Sequence, residues 1–223
     1  MPKTETRERA MNILAVGAHW DDIELGCSLT LKRLKDKGHT IFSVVVCSSK
    51  YGENANEGMA EDEALKCGLN AFRLIGAEYI PTPKEPNSLF AYNKKAMQVL
   101  ENVANKHKID TVFTHWFGDI NTDHQTVWEI SRTAFRNVRN FLMYRSNSYS
   151  DHVNIFEPNV FFSYDNEEYK LKEKLLSQYG PEWIRRQARW KREIFERERH
   201  WGFLSGNEYA EGFQISKLVD FIV

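Results

Sequence analysis

The feature that most constrains this chain is a set of short apolar runs separated by segments of helical spacing. Ile13 to Ala18 (ILAVGA), Thr40 to Cys47 (TIFSVVVC) and Ile109 to Thr114 (IDTVFT) are continuous, β-branched and only six to eight residues long. Runs of that length are buried strands, whereas a bilayer needs about 20 apolar residues. Between them lie amphipathic stretches. Gly26 to Lys37 carries Leu29, Leu31 and Leu34 and stops at Gly38, Lys94 to His107 reads as a helix, and Thr122 to Val138 repeats Val127, Ile130, Ala134 and Val138 along one side. Glu57 to Leu69 reads as a further helix, followed by a short strand near Phe72 to Ile75. Ser48 to Asn56 and the proline-rich Pro81 to Ser88 read as loops, Asn140 to Tyr144 and Asn159 to Tyr164 as later strands. Glu167 to Trp201 reads as a long charged helix interrupted at Gly180-Pro181, and the segment from Gly206 is mixed.

Strands alternating with helices predict an α/β fold: a Rossmann-like, doubly wound, mostly parallel sheet with helices on both faces. Residues 1–11 read as a flexible leader and 12–223 as one domain. A net charge of −1 gives no footprint for nucleic acid. The polar start lacks the apolar core of a signal peptide, so the expectation is a cytoplasmic protein without membrane insertion. Cys27, Cys47 and Cys67 match no disulfide or zinc-ribbon spacing and read as small buried residues. Nothing in the composition sets an oligomeric state, and a homo-oligomer is allowed.

In open α/β sheets ligands bind beyond the carboxyl ends of the strands. The first strand runs into His19-Trp20-Asp21-Asp22, where a nucleotide-binding fold would carry a glycine-rich turn. The strand ending near Thr114 runs into His115-Trp116-Phe117-Gly118-Asp119-Ile120-Asn121-Thr122-Asp123-His124. In the strand order 3-2-1-4-5 these two strands are neighbours, so both clusters meet at one edge. Histidine and carboxylate ligands with an open position are the donor set of catalytic zinc. Of the adjacent Asp21 and Asp22, one suits a ligand and the other a base. Each element also has an ordinary reading: an Asp pair before a helix is a cap, Asp123 beside the helix from Thr122 is another, and a lone strand-end histidine is usually hydrogen-bonded.

These residues resemble the LmbE-like, or PIG-L-type, deacetylase family. Its A-H-P-D-D-x-x-x-G pattern is similar to Ala18 to Gly26, with Trp20 in place of proline. A variant of its second motif, T-H-x-x-G-D-x-N-x-D-H, matches Thr114 to His124, and Glu208 to Phe213 (EYAEGF) resembles its closing segment. The resemblance implies one Zn²⁺ per chain on His19, Asp22 and His124, with Asp21 as general base and Asp123 standing behind the ligands. It implies an N-acylated small-molecule substrate, an amino sugar or sugar conjugate carrying N-acetyl. Many members have a histidine where this chain has Asn121; an amide can donate to an oxyanion but cannot be a general acid, so either Asn121 or His115 is expected to assist. Ser28-Leu29 replaces the usual Gly-Gly, and the Glu57 to Leu69 segment opens without the arginine of some members. The rival readings are a metal-dependent amidase on a non-sugar substrate and a non-catalytic sugar- or nucleotide-binding module.

Overall fold

A computed structural model of the chain describes residues 9–51, 59–87, 90–146 and 154–219. Its centre is a seven-stranded sheet in the order β4-β2-β1-β6-β7-β9-β8. β1 (Asn12–Gly17) pairs in parallel with β2 (Thr40–Val45) and β6 (Thr111–His115). β4 (Glu78–Tyr79) and β7 (Asn140–Tyr144) extend the parallel set on either side. β9 (Tyr209–Lys217) then runs antiparallel to both β7 and β8 (Val160–Tyr164). The parallel pairing of β1 with β6 is the adjacency that the doubly wound order requires.

The strands alternate between two cores because successive side chains point to opposite faces. Leu14, Val16, Val44 and Val112 face the helices α3 (Lys94–His107) and α4 (Thr122–Ala134). Ile13, Ala15, Ile41 and Phe113 face α1 (Asp22–Asp36), α2 (Glu61–Ile75) and α5 (Asn166–Leu176). Both faces are therefore covered, which explains continuous apolar runs rather than alternation with polar residues. The chain closes with α6 (Gly180–Trp190), a π-helical turn over Lys191–Phe195, and α7 (Glu196–Leu204). No helix among the described residues is long and apolar enough to cross a membrane.

Four local expectations change. Phe72 to Ile75 is the end of α2, not a strand: Ala64, Gly68, Ala71, Phe72 and Ile75 form one buried helical stripe, and the strand lies just beyond Gly76. α1 begins at Asp22, four residues before Gly26. Gly26 is interior, and a Cβ there would stand 2.1 Å from the Tyr144 ring, so glycine lets α1 lie close on β7. Within the two stretches read as loops, β3 (Cys47–Tyr51) pairs with β5 (Glu85–Asn87); residues 52–56 lie outside the described residues. The mixed C-terminal segment contains β9, a long strand inside the sheet. Of the expected leader, residues 1–8 lie outside the described residues, while Met11 is buried and its N–H donates to His39 Nδ1 at 3.1 Å.

Candidate metal centre

β1 and β6 deliver their ends side by side. The Ala18 N–H donates to His115 Nε2 at 2.9 Å, which ties the turn after β1 to the last residue of β6. The chain then enters α1 through Asp21, whose φ of 99° is left-handed and uncommon outside glycine. Asp21 occupies the N-cap position, yet its side chain makes no cap hydrogen bond. The ordinary reading of this residue as a cap therefore fails. An unfavourable backbone held in place beside a cluster of ligand-type side chains is where stored strain tends to be found.

His19, Asp22 and His124 converge. His19 Nδ1 lies 3.3 Å from His124 Nε2. Asp22 reaches both, with Oδ2 at 3.5 Å from His19 Nδ1 and Oδ1 at 3.3 Å from His124 Nε2. Each imidazole is held from behind by a carboxylate. His19 Nε2 sits 2.9 Å from Asp123 Oδ2, and His124 Nδ1 sits 3.0 Å from Asp119 Oδ2. This is the arrangement that fixes tautomer and ring direction in histidine metal ligands. Asp22 is positioned by the His19 N–H on Oδ2 at 2.7 Å and by the Ser146 hydroxyl on Oδ1 at 2.8 Å.

Two other groups of ligand-type atoms lie nearby, His19 with Cys47 and Asp123, and His115 with Asp119 and His124. Their atoms are largely engaged with one another: Asp123 with His19, Asp119 with His124, and His115 with the Ala18 N–H. Burial also pushes the Cys47 thiol up, which disfavours a thiolate. In the His19, Asp22 and His124 set the two imidazole nitrogens and the carboxylate face one another within 3.3–3.5 Å, and this set fits a divalent cation.

The electrostatics agree. Burial alone would lower the His19 pKa, but hydrogen bonds to Asp123 and Asp22 outweigh it and lift it to about 9. Burial is likewise outweighed at His124 by the Asp22 charge and the Asp119 hydrogen bond, which raise it to about 10. Burial would raise the Asp22 carboxyl, yet His124 and His115 hold it well below the usual carboxylate range. Both imidazoles are thus favoured in their protonated form, so cation binding at this cluster is coupled to proton release. Side-chain exposure is 16 % at His19 against 4 % at Asp22 and 3 % at His124, so solvent reaches the cluster from the His19 side.

The remaining site residues of the sequence reading lie around this point. Asn121 is the N-cap of α4, its Oδ1 accepting the Asp123 and His124 N–H groups at 2.9 and 3.3 Å. Asp123 is buried behind His19. His115 is fully buried, its ring stacked on His124 at 3.9 Å. Burial and the nearby His124 charge lower its pKa to about 4, so it is neutral. Asp119 and Ser146 were not singled out from sequence as site residues. Asp119 stands within the Asp-x-Asn-x-Asp-His run, whereas nothing local marks Ser146.

Residues 14–135, more than half of the chain, match the model of the PIG-L family, described as GlcNAc-PI de-N-acetylase. The chain belongs to that family. This PIG-L member is 29 % identical over 178 residues to the uncharacterized deacetylase YaiS of Escherichia coli (strain K12), covering 75 % of this chain and 89 % of that protein. Its fold is shared by the N,N'-diacetylchitobiose deacetylase of Pyrococcus horikoshii, at TM-score 0.73 and 16 % identity, covering 96 % of this chain and 87 % of the other. It is shared equally by GalB, the 4-carboxy-2-hydroxymuconate hydratase of Pseudomonas putida KT2440, at TM-score 0.77 and 15 % identity, covering 96 % and 100 %. One fold thus carries two reaction types, and the chemistry of this PIG-L chain must be argued from its own site.

Proposed function

We propose that this deacetylase-family chain is a zinc-dependent enzyme that hydrolyses an N-acetyl group on an amino sugar or sugar conjugate. The observation that carries the reading is the convergence of His19 Nδ1, Asp22 and His124 Nε2, each histidine backed by a carboxylate, beside an Asp21 that does not cap its helix. His19, Asp22 and His124 would hold the ion, two imidazoles and one carboxylate being a common donor set of catalytic zinc. When bound, Zn²⁺ acidifies a water at neutral pH and polarises an amide carbonyl.

The chain's own residues supply the proton traffic. Asp21 takes the proton from the attacking water as its oxygen bonds to the acyl carbon. When the C–N bond breaks, the same carboxyl returns that proton to the departing amine, leaving acetate and a free amino group. Asn121, with its oxygen committed to the α4 cap, offers its amide nitrogen to the oxyanion. His115 sits too deep to meet substrate and acts by positioning the turn after β1 and the His124 ring. The substrate class follows the names of similar proteins, YaiS as a deacetylase and the Pyrococcus enzyme as acting on diacetylchitobiose.

Elemental analysis of purified protein should find about one divalent ion per chain. His19→Ala and His124→Ala should lose it together with amine release from N-acetylglucosamine conjugates. Full metal occupancy in both variants would remove the assignment. Release of amine only from non-sugar amides would keep the site and change the substrate.

A further inference from the structure

On the face covered by α3 and α4, the sheet continues past α4. A cavity of about 510 Å³ opens there, walled by Trp128 and Arg132 of α4 and by Arg136 in the turn after it, floored by Phe141 of β7 and edged by Lys217 of β9 and Phe117. The lining includes three cationic side chains and no acidic one. Arg136 is engaged with Glu101 at 2.5 Å. Arg132 lies over the Trp128 ring, 5.0 Å from its centroid, and neither it nor Lys217 makes an ion pair among the described residues. Lys217 stands directly opposite Phe141 in the β7–β9 register, so both project from the same face into the cavity. Like charges gathered around a concavity repel one another until an anion enters between them.

The apolar part of the lining is aromatic. Phe117, nearly half exposed, packs against Trp128 with ring centroids 5.6 Å apart and a tilt of 49°. Partly exposed indole and phenyl rings are platforms for a planar ring. The volume lies within the range of about 300–1,000 Å³ that small-molecule pockets occupy. Trp128 is one helical turn beyond His124, about 6 Å along α4, and Arg132 follows one turn further from the His19, Asp22 and His124 cluster, with Arg136 just past the end of the helix. None of His19, Asp22 and His124 lines the cavity.

We propose that this cavity binds an organic phosphate bearing a planar ring, the chemistry of a nucleoside diphosphate, at a site separate from the metal-ligand cluster. The ring stacks on Trp128 and Phe117. The phosphates lie between Arg132 and Lys217, with Arg136 at the rim, in charge-assisted contacts.

Calorimetry on the metal-loaded protein tests it, with UDP, ADP, uridine and inorganic phosphate as probes at about 0.15 M salt. A nucleoside diphosphate should bind saturably, and uridine and phosphate should each bind at least about tenfold more weakly, since each supplies half of the contacts. The double variant Arg132→Ala/Lys217→Ala, both surface positions, should raise Kd at least about tenfold, and Trp128→Ala by a similar factor. His19→Ala should bind as wild type does. The proposal falls if neither diphosphate binds, if the double variant binds unchanged, or if His19→Ala abolishes binding, which would place the phosphates on the ion. It falls equally if sedimentation shows that wild type self-associates and that the double variant or Trp128→Ala dissociates it, for the cavity would then be an interface between copies.

Discussion

Two of the buried polar clusters among the described residues are built on opposite principles. One is the His19, Asp22 and His124 convergence at the carboxyl edge of the sheet. The other lies where α1, α5, α7 and β9 meet. There Lys172 Nζ donates to Glu198 Oε1 and to Glu211 Oε1, each at 2.8 Å, and all three side chains are essentially without exposure. Glu198 Oε2 accepts the Tyr169 hydroxyl at 2.6 Å. Glu211 accepts the Leu29 and Thr30 N–H groups at 3.0 and 2.8 Å, and the Thr30 hydroxyl at 2.6 Å. These backbone donors lie inside α1, where the helix ladder ordinarily claims them.

In the second cluster both carboxylates are held by Lys172 and by hydroxyl or backbone donors around it, with Arg197 Nη2 a further 3.9 Å from Glu198 Oε1. In the first, three ligand-type side chains converge while each imidazole is held from behind by a carboxylate, and His19 is partly exposed. Burial of charge does not by itself mark a functional site, because structural ion pairs perturb pKa values as strongly. What separates the two is chemical type: the first gathers imidazoles and a carboxylate of the kind that bind cations, the second an ammonium between two carboxylates.

The sharpest way to break this contrast is Asp21→Asn. It preserves shape but cannot accept a proton, so turnover should fall about 10²–10⁴-fold while metal content and thermal stability stay at wild-type values. A metal-loaded Asp21→Asn protein with normal kcat would end the case for Asp21 as the base. Lys172→Met should do the reverse. Removing the cation leaves two buried carboxylates facing each other, and unfolding free energy measured in urea should drop by about 3–5 kcal/mol. The kcat of the folded fraction should stay within about twofold, as the Lys172 cluster touches no reacting atom. Equal loss of kcat and stability would mean that the two clusters are one functional unit.

Glu24 lies between the two regions and tests the role of burial. It has no exposed surface; burial raises its pKa to about 7, offset only in part by the Tyr179 hydroxyl, which donates to Oε1 at 2.8 Å. Its Oε2 has no partner among the described residues, which suits a carboxyl that keeps its proton. A folded-state pKa raised above the ordinary 4.5 stabilises the fold fully below that pH, and the contribution is lost as pH rises through about 7. Glu24→Gln, neutral throughout, should match wild type near pH 4 and exceed it above pH 7 by on the order of 3 kcal/mol. A difference that does not change with pH would show that Glu24 is not held protonated.

How much of this was readable follows from where each determinant lies. α3 and β7 stand at the bounds that local spacing gives, Lys94 to His107 and Asn140 to Tyr144. That the two His/Asp clusters lie together was readable because each is contiguous and sits at the end of one of two neighbouring strands. The start of α1 was hidden, since Asp21 carries no cap bond and a left-handed φ, and Gly26 imitates a boundary although tertiary contact with Tyr144 is what demands it. β9 was hidden because Glu211 and Gly212 interrupt its apolar pattern. The Glu211 charge is neutralised by Lys172, 39 residues away, and by the backbone of α1, which no local window contains. Ser146 reaches Asp22 across 124 residues and is equally silent.

The finest test concerns Asn121, where structural and chemical roles share one side chain. Its Oδ1 caps α4 through the N–H groups of Asp123 and His124, and so helps to place His124 itself. Its amide nitrogen has no partner among the described residues and is the group assigned to the oxyanion. Two substitutions separate the halves. Asn121→Asp keeps an acceptor for the cap and removes the donor. Asn121→Ala removes both. Loss of the cap should cost about 1 kcal/mol and should appear only in Asn121→Ala, read by urea unfolding of the metal-loaded protein. Loss of an oxyanion donor should lower kcat about 10²-fold and should appear in both variants. If Asn121→Asp keeps full turnover, Asn121 is a cap alone, and charge development on the acyl oxygen is met by the metal centre without it. A drop in metal content in Asn121→Ala but not in Asn121→Asp would locate the effect in the placement of His124, since the cap is the one contact these two variants do not share.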